Sequence, residues 1–234
     1  MYSIMILCAG LATRLYPITS YIPKYLYPIN GMPFVDYQLK LLKQSGFDHV
    51  VLCIGKFGGI IREYVSHGGQ WGLSVEYSYI DINNEGTANA IKKTRRYVDD
   101  SFFVMYGDSY LPVNYKKIQQ KYESSKTKGL MAIYNNHDEQ LHKNNVYYKK
   151  KSIIRYSKTE DILPMNYIDY GISVFNKNTL DRIDDSCYTD LSVVHNNLIA
   201  EGQLSPFIIK SRFYEVGSLR GIQDFTKYVI RKKL

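Results

Sequence analysis

The first half of the chain alternates between short apolar runs and segments with helical spacing. The apolar runs predict buried strands at Ser3–Cys8, Val50–Ile54, Val75–Ile80 and Phe102–Tyr106. The segments between and after them predict helices from Pro33 to Ser45, over Gly58–Val65, over Ala88–Tyr97 and over Tyr115–Lys126. Strands that alternate with helices in this way are typical of a parallel, doubly wound sheet.

Beyond residue 129 the spacing is less regular. Short strands with polar turns are predicted at Leu130–Tyr134, Val146–Tyr148, Ile153–Tyr156 and Ile172–Phe175. Helices are predicted over Leu191–Glu201, which Gly202 follows, and over Leu219–Lys232. We therefore expect an α/β fold with a mostly parallel, Rossmann-like sheet and a small β-rich part, in one domain that spans residues 1–234.

Length and composition exclude several classes of protein. A chain of 234 residues can bury a sizeable core. It has no apolar run near the ~20 residues that a membrane span needs, and Met1-Tyr2-Ser3 lacks the basic start of a signal peptide. The three cysteines have no metal-ligand spacing, and Cys8 and Cys53 lie in apolar runs. We expect these two to be buried thiols in a protein of the reducing cytoplasm.

The formal net charge of +8 does not identify a nucleic-acid-binding protein, because the positive charge is dispersed. Lys149–Lys151 and Arg231–Lys233 are short basic runs without an RNA- or DNA-binding motif. The chain also has neither the glycine-rich phosphate loop that ends in Lys and Ser or Thr nor the serine nucleophile elbow. Its five histidines show no spacing typical of a metal pair.

A loop of small residues between the first strand and two cations carries the clearest chemical signal. Small residues let backbone N–H groups approach a phosphate closely. Arginine can contact two phosphate oxygens at once, and lysine adds a mobile point charge. The residues in question are Ala9, Gly10, Leu11, Ala12, Thr13, Arg14 and Lys24. The alternative interpretation is an ordinary strand–loop–helix turn with an unrelated arginine and lysine.

This stretch resembles the signature of the sugar-1-phosphate nucleotidyltransferases, which reads G-x-G-T-R-L-x-P followed by P-K-P. The matching residues are Gly10, Thr13, Arg14, Leu15 and Pro17, and then Pro23 and Lys24. Ala12 stands where the family has its second glycine, and Tyr25 stands where it has the second proline of P-K-P. The resemblance implies that Arg14 and Lys24 are the catalytic cations and that residues 9–13 bind the nucleotide.

A second segment on the nucleotide side begins at Glu85. Glu85-Gly86-Thr87-Ala88-Asn89-Ala90 resembles the family's L-G-T-A-x-A, which contacts the base and ribose, with glutamate in place of leucine. The resemblance implies that Gly86 and Thr87 bind the nucleotide and that Asp81 reads the base. The same residues also fit a helix N-terminus with Thr87 near the cap.

The implied metal site combines two distant segments. Tyr106-Gly107-Asp108 ends a predicted strand, as does the family's G-D motif, in which the aspartate binds Mg²⁺. The segment from Phe213 to Ser218 resembles the family's W-x-D-V-G-T, with Glu215 in place of its aspartate. The resemblance implies that Asp108 and Glu215 bind Mg²⁺, the expected cofactor. A turn capped by Asp108 is the alternative.

The implied sugar-phosphate site lies in the second half. Lys158 matches the lysine of the family's F-x-E-K-P, which holds the sugar phosphate, although Ser157 and Thr159 replace its neighbours. The segment that contains Asp169 and Gly171 resembles the family strand N-A-G-I-Y-x-F, which lines the sugar pocket. Asn144 and Asn145 are candidates to bind sugar hydroxyls, with a solvated loop as the alternative.

From this resemblance we expect an enzyme that transfers a nucleoside monophosphate from a nucleoside triphosphate to a sugar 1-phosphate. The short chain looks most like the heptose-1-phosphate guanylyltransferases and the muramate-1-phosphate uridylyltransferases. Residues 1–128 would then form the nucleotide-binding half, and residues 129–234 the sugar-phosphate half. We expect the two substrates as partners, leave a homodimer open, and expect neither nucleic acid nor a membrane. A cytidylyltransferase acting on a non-sugar phosphate and a non-catalytic nucleotide-binding relative are the alternatives.

Overall fold

The computed structural model describes residues 1–10, 15–16, 22–81, 84–136, 143–159, 164–184 and 186–234. The strands of this part are β1 (Ile4–Leu7), β2 (Pro28–Ile29), β3 (Met32–Pro33), β4 (His49–Ile54), β5 (Ser74–Tyr79), β6 (Ser101–Tyr106), β7 (Ser109–Tyr110), β8 (Gly129–Tyr134), β9 (Val146–Lys149), β10 (Ser152–Tyr156), β11 (Ile168–Asn176), β12 (Leu204–Ile209) and β13 (Tyr214–Glu215). Its α-helices are α1 (Phe34–Gln44), α2 (Gly58–Val65), α3 (Thr87–Lys93), α4 (Tyr115–Ser125), α5 (Leu191–Ala200) and α6 (Leu219–Lys232).

In these described ranges, seven strands form one central sheet in the order β12-β8-β11-β6-β1-β4-β5. Every neighbouring pair is parallel except the two that β11 makes, which are antiparallel. The predicted α/β fold with a mostly parallel sheet is therefore confirmed.

The central strands are apolar on both faces because helices cover both sides of the sheet. Strand β1 shows the arrangement: Ile4 and Ile6 face one core, and Met5 and Leu7 face the other. Helices α1, α2, α4 and α6 pack in the first core, while α3 and α5 pack in the second. This double cover explains why the strands read as continuous apolar runs rather than as alternating patterns.

The two halves of the chain occupy adjacent parts of the sheet. Strands β1, β4, β5 and β6 come from residues 1–128, and β8, β11 and β12 extend the sheet beyond β6. The irregular spacing after residue 129 hid this continuity, and β12 was not predicted because Pro206 interrupts its apolar run. Proline is tolerated there because β12 lies at the edge of the sheet.

Short strand pairs outside the main sheet hold the loops at one end of it. Strand β13 pairs with β7 and thereby places Glu215 opposite Ser109. Strands β9 and β10 form a separate hairpin that ends at Tyr156, close in sequence to Lys158. Among the helices of the described residues, none combines the length and apolar character needed to cross a membrane.

Candidate active site

The site begins where β6 ends against β1. The backbone N–H of Gly107 donates to the Leu7 carbonyl at 3.0 Å. A Cβ atom at position 107 would lie 2.7 Å from that carbonyl oxygen and 2.9 Å from the Cα of Cys8. Only glycine allows this approach. It places Asp108 beside the start of the loop that follows β1.

Lys24 and Asp108 form a partly buried ion pair at this position. Lys24 Nζ lies 2.7 Å from Asp108 Oδ2, and the two side chains are 13% and 20% exposed. A Cβ atom on Gly10 would lie 3.5 Å from Lys24 Nζ. The structure therefore brings three predicted site residues, Gly10, Lys24 and Asp108, together. Ala9, next to Gly10, is buried, whereas Leu11, Ala12, Thr13 and Arg14 lie outside the described residues.

Glu215 reaches the same end of the sheet through the backbone. The Val216 N–H donates to the Asp108 carbonyl at 2.9 Å, next to the pairing of β13 with β7. The Glu215 carboxylate accepts hydrogen bonds from the backbone N–H of Gly217 and from the hydroxyl of Ser218. Ser218 is the N-cap of α6. The carboxylate is thus bonded to residues that begin this helix.

The donor set fits a magnesium ion to different degrees at the two carboxylates. Mg²⁺ takes one or two carboxylates and completes its shell with phosphate oxygens and water. Asp108 fits this role because it is partly exposed and already faces a cation. The oxygens of Glu215 already accept from Gly217 and Ser218, so a metal would share them with these hydrogen bonds. Within the described ranges, no group of three or more His, Cys, Asp or Glu side chains that could hold a metal ion is present.

A second lysine–carboxylate pair also lies by the end of β6 but comes from the other half of the chain. Lys158 Nζ lies 2.9 and 3.2 Å from the two carboxylate oxygens of Asp190. The same ammonium lies 5.5 Å from the centre of the Tyr106 ring. Tyr106 is two residues before Asp108, so both lysines approach the end of β6.

Asp190 is held by several hydrogen bonds at once. Its carboxylate accepts from the hydroxyl of Thr87 at 2.9 Å and, as N-cap of α5, from the Ser192 N–H at 2.9 Å. Burial works against the charged form, but Lys158 and Ser192 hold the pKa of this carboxyl well below its usual range. Burial likewise opposes the charge of Lys158, yet Tyr106 and Asp190 keep the pKa of the ammonium above its usual value. Both groups are therefore charged at neutral pH.

The segment Gly86-Thr87 packs against residues 189–191. A Cβ atom at Gly86 would lie 2.1 Å from the Thr189 carbonyl oxygen, so no side chain fits. The Thr87 hydroxyl accepts from the Leu191 N–H at 2.7 Å while it donates to Asp190. Helix α3 starts at Thr87, as the alternative interpretation predicted. These contacts join the proposed nucleotide segment to the residue that holds Lys158.

Asp81 lies just before this segment. Its side chain accepts from the Asn84 amide at 2.7 Å, and its backbone N–H donates to the Glu85 carboxylate at 2.9 Å. Glu85 in turn pairs with Lys93 of α3. Asp81 is exposed at the surface near the end of β5, where its role with a base stays a prediction.

Strand β11 contributes two more of the predicted sugar-phosphate-site residues, Asp169 and Gly171. The Asp169 carboxylate accepts from the Tyr156 hydroxyl and from the Gly171 N–H, both at 2.9 Å, and burial raises the pKa of this carboxyl. Gly171 has a φ of +89°, which glycine adopts without strain. The Asn145 side chain accepts from the Asp169 N–H at 2.8 Å. These residues form one partly buried polar cluster near Lys158.

Two features in the second half of the chain suit a polar ligand. The side-chain oxygen of Asn144 is buried and has no hydrogen-bond partner in the described part of the chain. A groove of about 740 Å³ runs beside Lys158 and Asp190 and is also lined by Arg155, Tyr188 and Asn196. A buried acceptor without a donor is costly unless a ligand or water supplies one.

Asp190 and Tyr106 were not predicted as site residues. The available signal for Asp190 was its position one residue before an apolar helix, which is typical of an N-cap. That signal says nothing about Lys158, because the two residues are 32 positions apart. Tyr106 was visible only as the residue before Gly107.

The chain matches the family model described as "Nucleotidyl transferase" over residues 3–229. The chain belongs to the nucleotidyltransferase family. This confirms the resemblance that the loop of small residues after β1 and the later segments predicted.

The relatives of this nucleotidyltransferase are named for different sugar phosphates. It is 35% identical to D-glycero-alpha-D-manno-heptose 1-phosphate guanylyltransferase of Campylobacter jejuni over 115 residues, 49% of this chain and 51% of that protein. A protein of the same name from Aneurinibacillus thermoaerophilus is 32% identical over 55% of this chain and 56% of its own. This nucleotidyltransferase thus spans about half the length of these two relatives. It is 26% identical to mannose-1-phosphate guanylyltransferase of Mycobacterium tuberculosis over 95% of this chain and 64% of that protein.

Solved structures show the same fold. HddC from Yersinia pseudotuberculosis complexed with GMP-PN superposes with a TM-score of 0.80 at 20% identity over 97% of this chain and 99% of that one. The inositol-1-phosphate CTP transferase of T. maritima superposes with a TM-score of 0.81 at 18% identity over 99% and 96%. The fold of these structures therefore covers 97–99% of this chain.

Proposed function

We propose that this protein is a sugar-1-phosphate nucleotidyltransferase. The observation that carries the proposal is the presence of two lysine–carboxylate pairs, Lys24–Asp108 and Lys158–Asp190, near the end of one strand. Ligands of open parallel sheets bind at the carboxyl ends of the strands. Two separate cations at that position suit two separate phosphate groups, one from each substrate.

In the proposed reaction, a phosphate oxygen of the sugar 1-phosphate forms a bond to the α-phosphorus of the nucleoside triphosphate. The bond from that phosphorus to the pyrophosphate oxygen breaks, and pyrophosphate leaves with the electron pair. The attacking oxygen is already anionic, so the reaction needs no general base. Catalysis then consists of positioning and charge neutralisation.

The charged residues of the site and several polar residues beside them each have a part in this scheme. Lys24, together with Arg14, holds the triphosphate and neutralises the charge that develops on pyrophosphate. Lys158 holds the acceptor phosphate in line, and Asp190 keeps that lysine charged and oriented. Asn144 and Asn145 face the acceptor, and the Gly86-Thr87 segment supports the nucleotide. Asp108, with Glu215 as a second carboxylate, would hold Mg²⁺, which supplies Lewis-acid stabilisation of the phosphate oxygens.

For the substrates, we propose GTP and a heptose 1-phosphate as the first pair to test. Support comes from the two relatives above 30% identity that are named heptose 1-phosphate guanylyltransferases. The product, a nucleoside-diphosphate sugar, suits a role in precursor supply for surface polysaccharides. Nucleoside triphosphates are cytoplasmic substrates, so we place the enzyme there. A homodimer belongs to the same proposal and is tested by sedimentation.

A matrix of triphosphates and phosphate acceptors tests the function. Each of GTP, UTP, CTP and dTTP is incubated with Mg²⁺ and a panel of sugar 1-phosphates, and pyrophosphate release is measured. We expect release with GTP and an aldose 1-phosphate. Release with CTP and a non-sugar phosphate would instead identify the cytidylyltransferase. Nucleotide binding without release from any pair would identify a non-catalytic relative.

A further inference from the structure

Tyr25 occupies a buried position beside the site. It belongs to the short 3₁₀ turn Lys24–Leu26, and its side chain is 1% exposed. Its ring packs edge-on against Phe34 at the start of α1, with ring centres 6.4 Å apart. Within this turn, Lys24 therefore faces Asp108 while Tyr25 enters the core.

A chain of buried hydrogen bonds connects Tyr25 to the residue next to Asp108. The Tyr25 hydroxyl donates to Gln38 Oε1 at 2.8 Å, and Gln38 Nε2 donates to the Ser109 carbonyl at 2.7 Å. Gln38 is 0% exposed and Ser109 is 6% exposed. We call this arrangement the Tyr25–Gln38 bridge. It links the backbone beside Lys24 to the backbone beside Asp108 through helix α1.

The bridge also reaches the first strand. Burial, and after it the neighbouring thiol of Cys8, raises the pKa of the Tyr25 hydroxyl, so this hydroxyl lies close to the residue before Ala9 and Gly10. Three segments that carry site residues, namely the end of β1, the Lys24 turn and the β6–β7 turn, therefore meet at one buried hydroxyl. Buried hydrogen bonds of this kind hold their partners firmly because breaking one leaves a polar group without water.

We propose that Tyr25 and Gln38 are positioning residues that fix Lys24 relative to Asp108. Neither side chain touches the substrates in this proposal; both act through the backbone next to the charged residues. The position that a proline would stiffen in the family signature is stiffened here by the bridge instead. The inference rests on the proposed function for the meaning of Lys24 and Asp108, but the bridge itself is tested separately below.

The chain offers a matched control for removing the Tyr25 hydroxyl. Tyr37, which lies next to Gln38 on α1, is 4% exposed and donates a buried hydrogen bond of 2.9 Å to the Ile29 carbonyl. Tyr25→Phe and Tyr37→Phe each remove one buried phenolic hydrogen bond. We therefore expect similar decreases in Tm, measured by thermal unfolding, so a purely structural role would make the two variants alike.

The test compares kinetics and a measurement that needs neither metal nor substrate. We expect Tyr25→Phe to lower kcat about tenfold, because a small misplacement of a catalytic group is costly, while KM for the triphosphate changes little. Tyr37→Phe should leave kcat unchanged. In the metal-free protein, the ¹H–¹⁵N NMR signal of the Lys24 ammonium should broaden or shift in Tyr25→Phe and not in Tyr37→Phe.

A second variant checks the path of the effect. Gln38→Met removes both hydrogen bonds of the bridge and leaves Tyr25 in place, and it should lower kcat at least as far as Tyr25→Phe. The double variant should equal Gln38→Met, because the hydroxyl acts on Ser109 only through the amide. Equal kcat and equal Lys24 signals for Tyr25→Phe and Tyr37→Phe would overturn the inference. Absence of turnover in the wild type would overturn the proposed function, and the NMR comparison would still decide the bridge.

Discussion

The two lysine–carboxylate pairs look alike but are built differently. Among the residues that the structure describes, the carboxylate of Asp108 accepts from Lys24 at 2.7 Å and from the Ser109 hydroxyl at 3.4 Å. The carboxylate of Asp190 bonds Lys158 through both oxygens and also accepts from Thr87 and from the N–H of Ser192. Asp108 therefore has coordination capacity left for a new partner, whereas Asp190 is almost fully used.

This difference indicates two kinds of ion pair. In the proposed function, ligands replace the Lys24–Asp108 pair: the triphosphate would take the lysine and a cation would take the carboxylate. Lys158–Asp190 would be a permanent pair, in which Asp190 stays and the acceptor phosphate approaches the remaining N–H groups of the lysine. A short distance alone does not distinguish these roles; the other bonds of each carboxylate do.

The largest effect should come from Asp108→Asn. The amide keeps the shape but removes the charge that faces Lys24, and we expect pyrophosphate release to fall on the order of 10³-fold. Steady-state turnover over a magnesium titration measures this. Asp48→Asn, which removes the exposed Lys43–Asp48 pair, is the control and should retain full turnover. An unchanged magnesium titration in Asp108→Asn would mean that this pair is as permanent as the other.

The next largest effect should come from Lys24→Ala. Removing this cation leaves the developing charge on pyrophosphate less stabilised, so we expect kcat to fall on the order of 10²-fold with little change in Tm. Stopped-assay kinetics and a thermal melt measure the two quantities. Turnover within a few-fold of the wild type would show that Lys24 does not contact the triphosphate.

Asp190→Asn should have a smaller effect of another kind. Asparagine can still cap α5 through its one carbonyl oxygen, but it no longer accepts from the Thr87 hydroxyl through a second oxygen and no longer fixes the charge of Lys158. We expect KM for the acceptor phosphate to rise about tenfold while kcat and KM for the triphosphate change little. A loss of kcat equal to that of Asp108→Asn would remove the distinction between permanent and replaceable pairs.

The smallest effect is the pH dependence of the free energy of unfolding that comes from His195, a buried residue near the Lys158–Asp190 pair. His195 is 1% exposed, its ring bonds the Ser173 hydroxyl at 2.9 Å, and burial next to Lys158 lowers its pKa to about 3. An unfolded histidine titrates near 6.5, so the unfolded state binds more protons as the pH falls below that value. As the pH falls from roughly 6 to 4, His195 therefore lowers the free energy of unfolding by about 1.4 kcal/mol per pH unit.

Urea unfolding of the wild type and of His195→Gln across this pH range tests the sign and size of the effect. The difference between their pH slopes should correspond to one proton. The Lys158–Asp190 pair should not titrate in the same pH window. Because the pKa of Asp190 is lowered, its contribution to the free energy of unfolding is lost only at a still lower pH. Parallel slopes for the two proteins would show that His195 binds a proton in the folded state.

Local patterns in the sequence predicted local structure well. Helices Gly58–Val65 and Leu219–Lys232 have the predicted bounds because their apolar faces and their ends are both encoded in neighbouring residues. Strand β11 runs over nine residues rather than four, because Gly171 and the polar residues near it break the apolar run while tertiary packing still buries them. Propensity and spacing contain no information on that burial.

The same limit applies to the candidate site. The residues of the loop after β1 and of the G-D motif were recognisable because short spacings define them. The contact between Thr87 and Asp190 joins positions 103 residues apart, and the bridge from Tyr25 to Ser109 joins three separate segments. Such contacts depend on the order of strands in the sheet, which spacing does not give.

The strand order also has a consequence for how the chain is made. Strand β6 pairs with β11, which follows it only after 61 intervening residues, 107–167. At bacterial and eukaryotic synthesis rates, β6 waits roughly 3–12 seconds for this partner. During that interval the nascent chain presents an apolar strand with an unpaired edge, the feature that promotes association between chains. Between the completion of β6 and the emergence of β11, the ribosome-bound chain is therefore exposed to association through this strand edge.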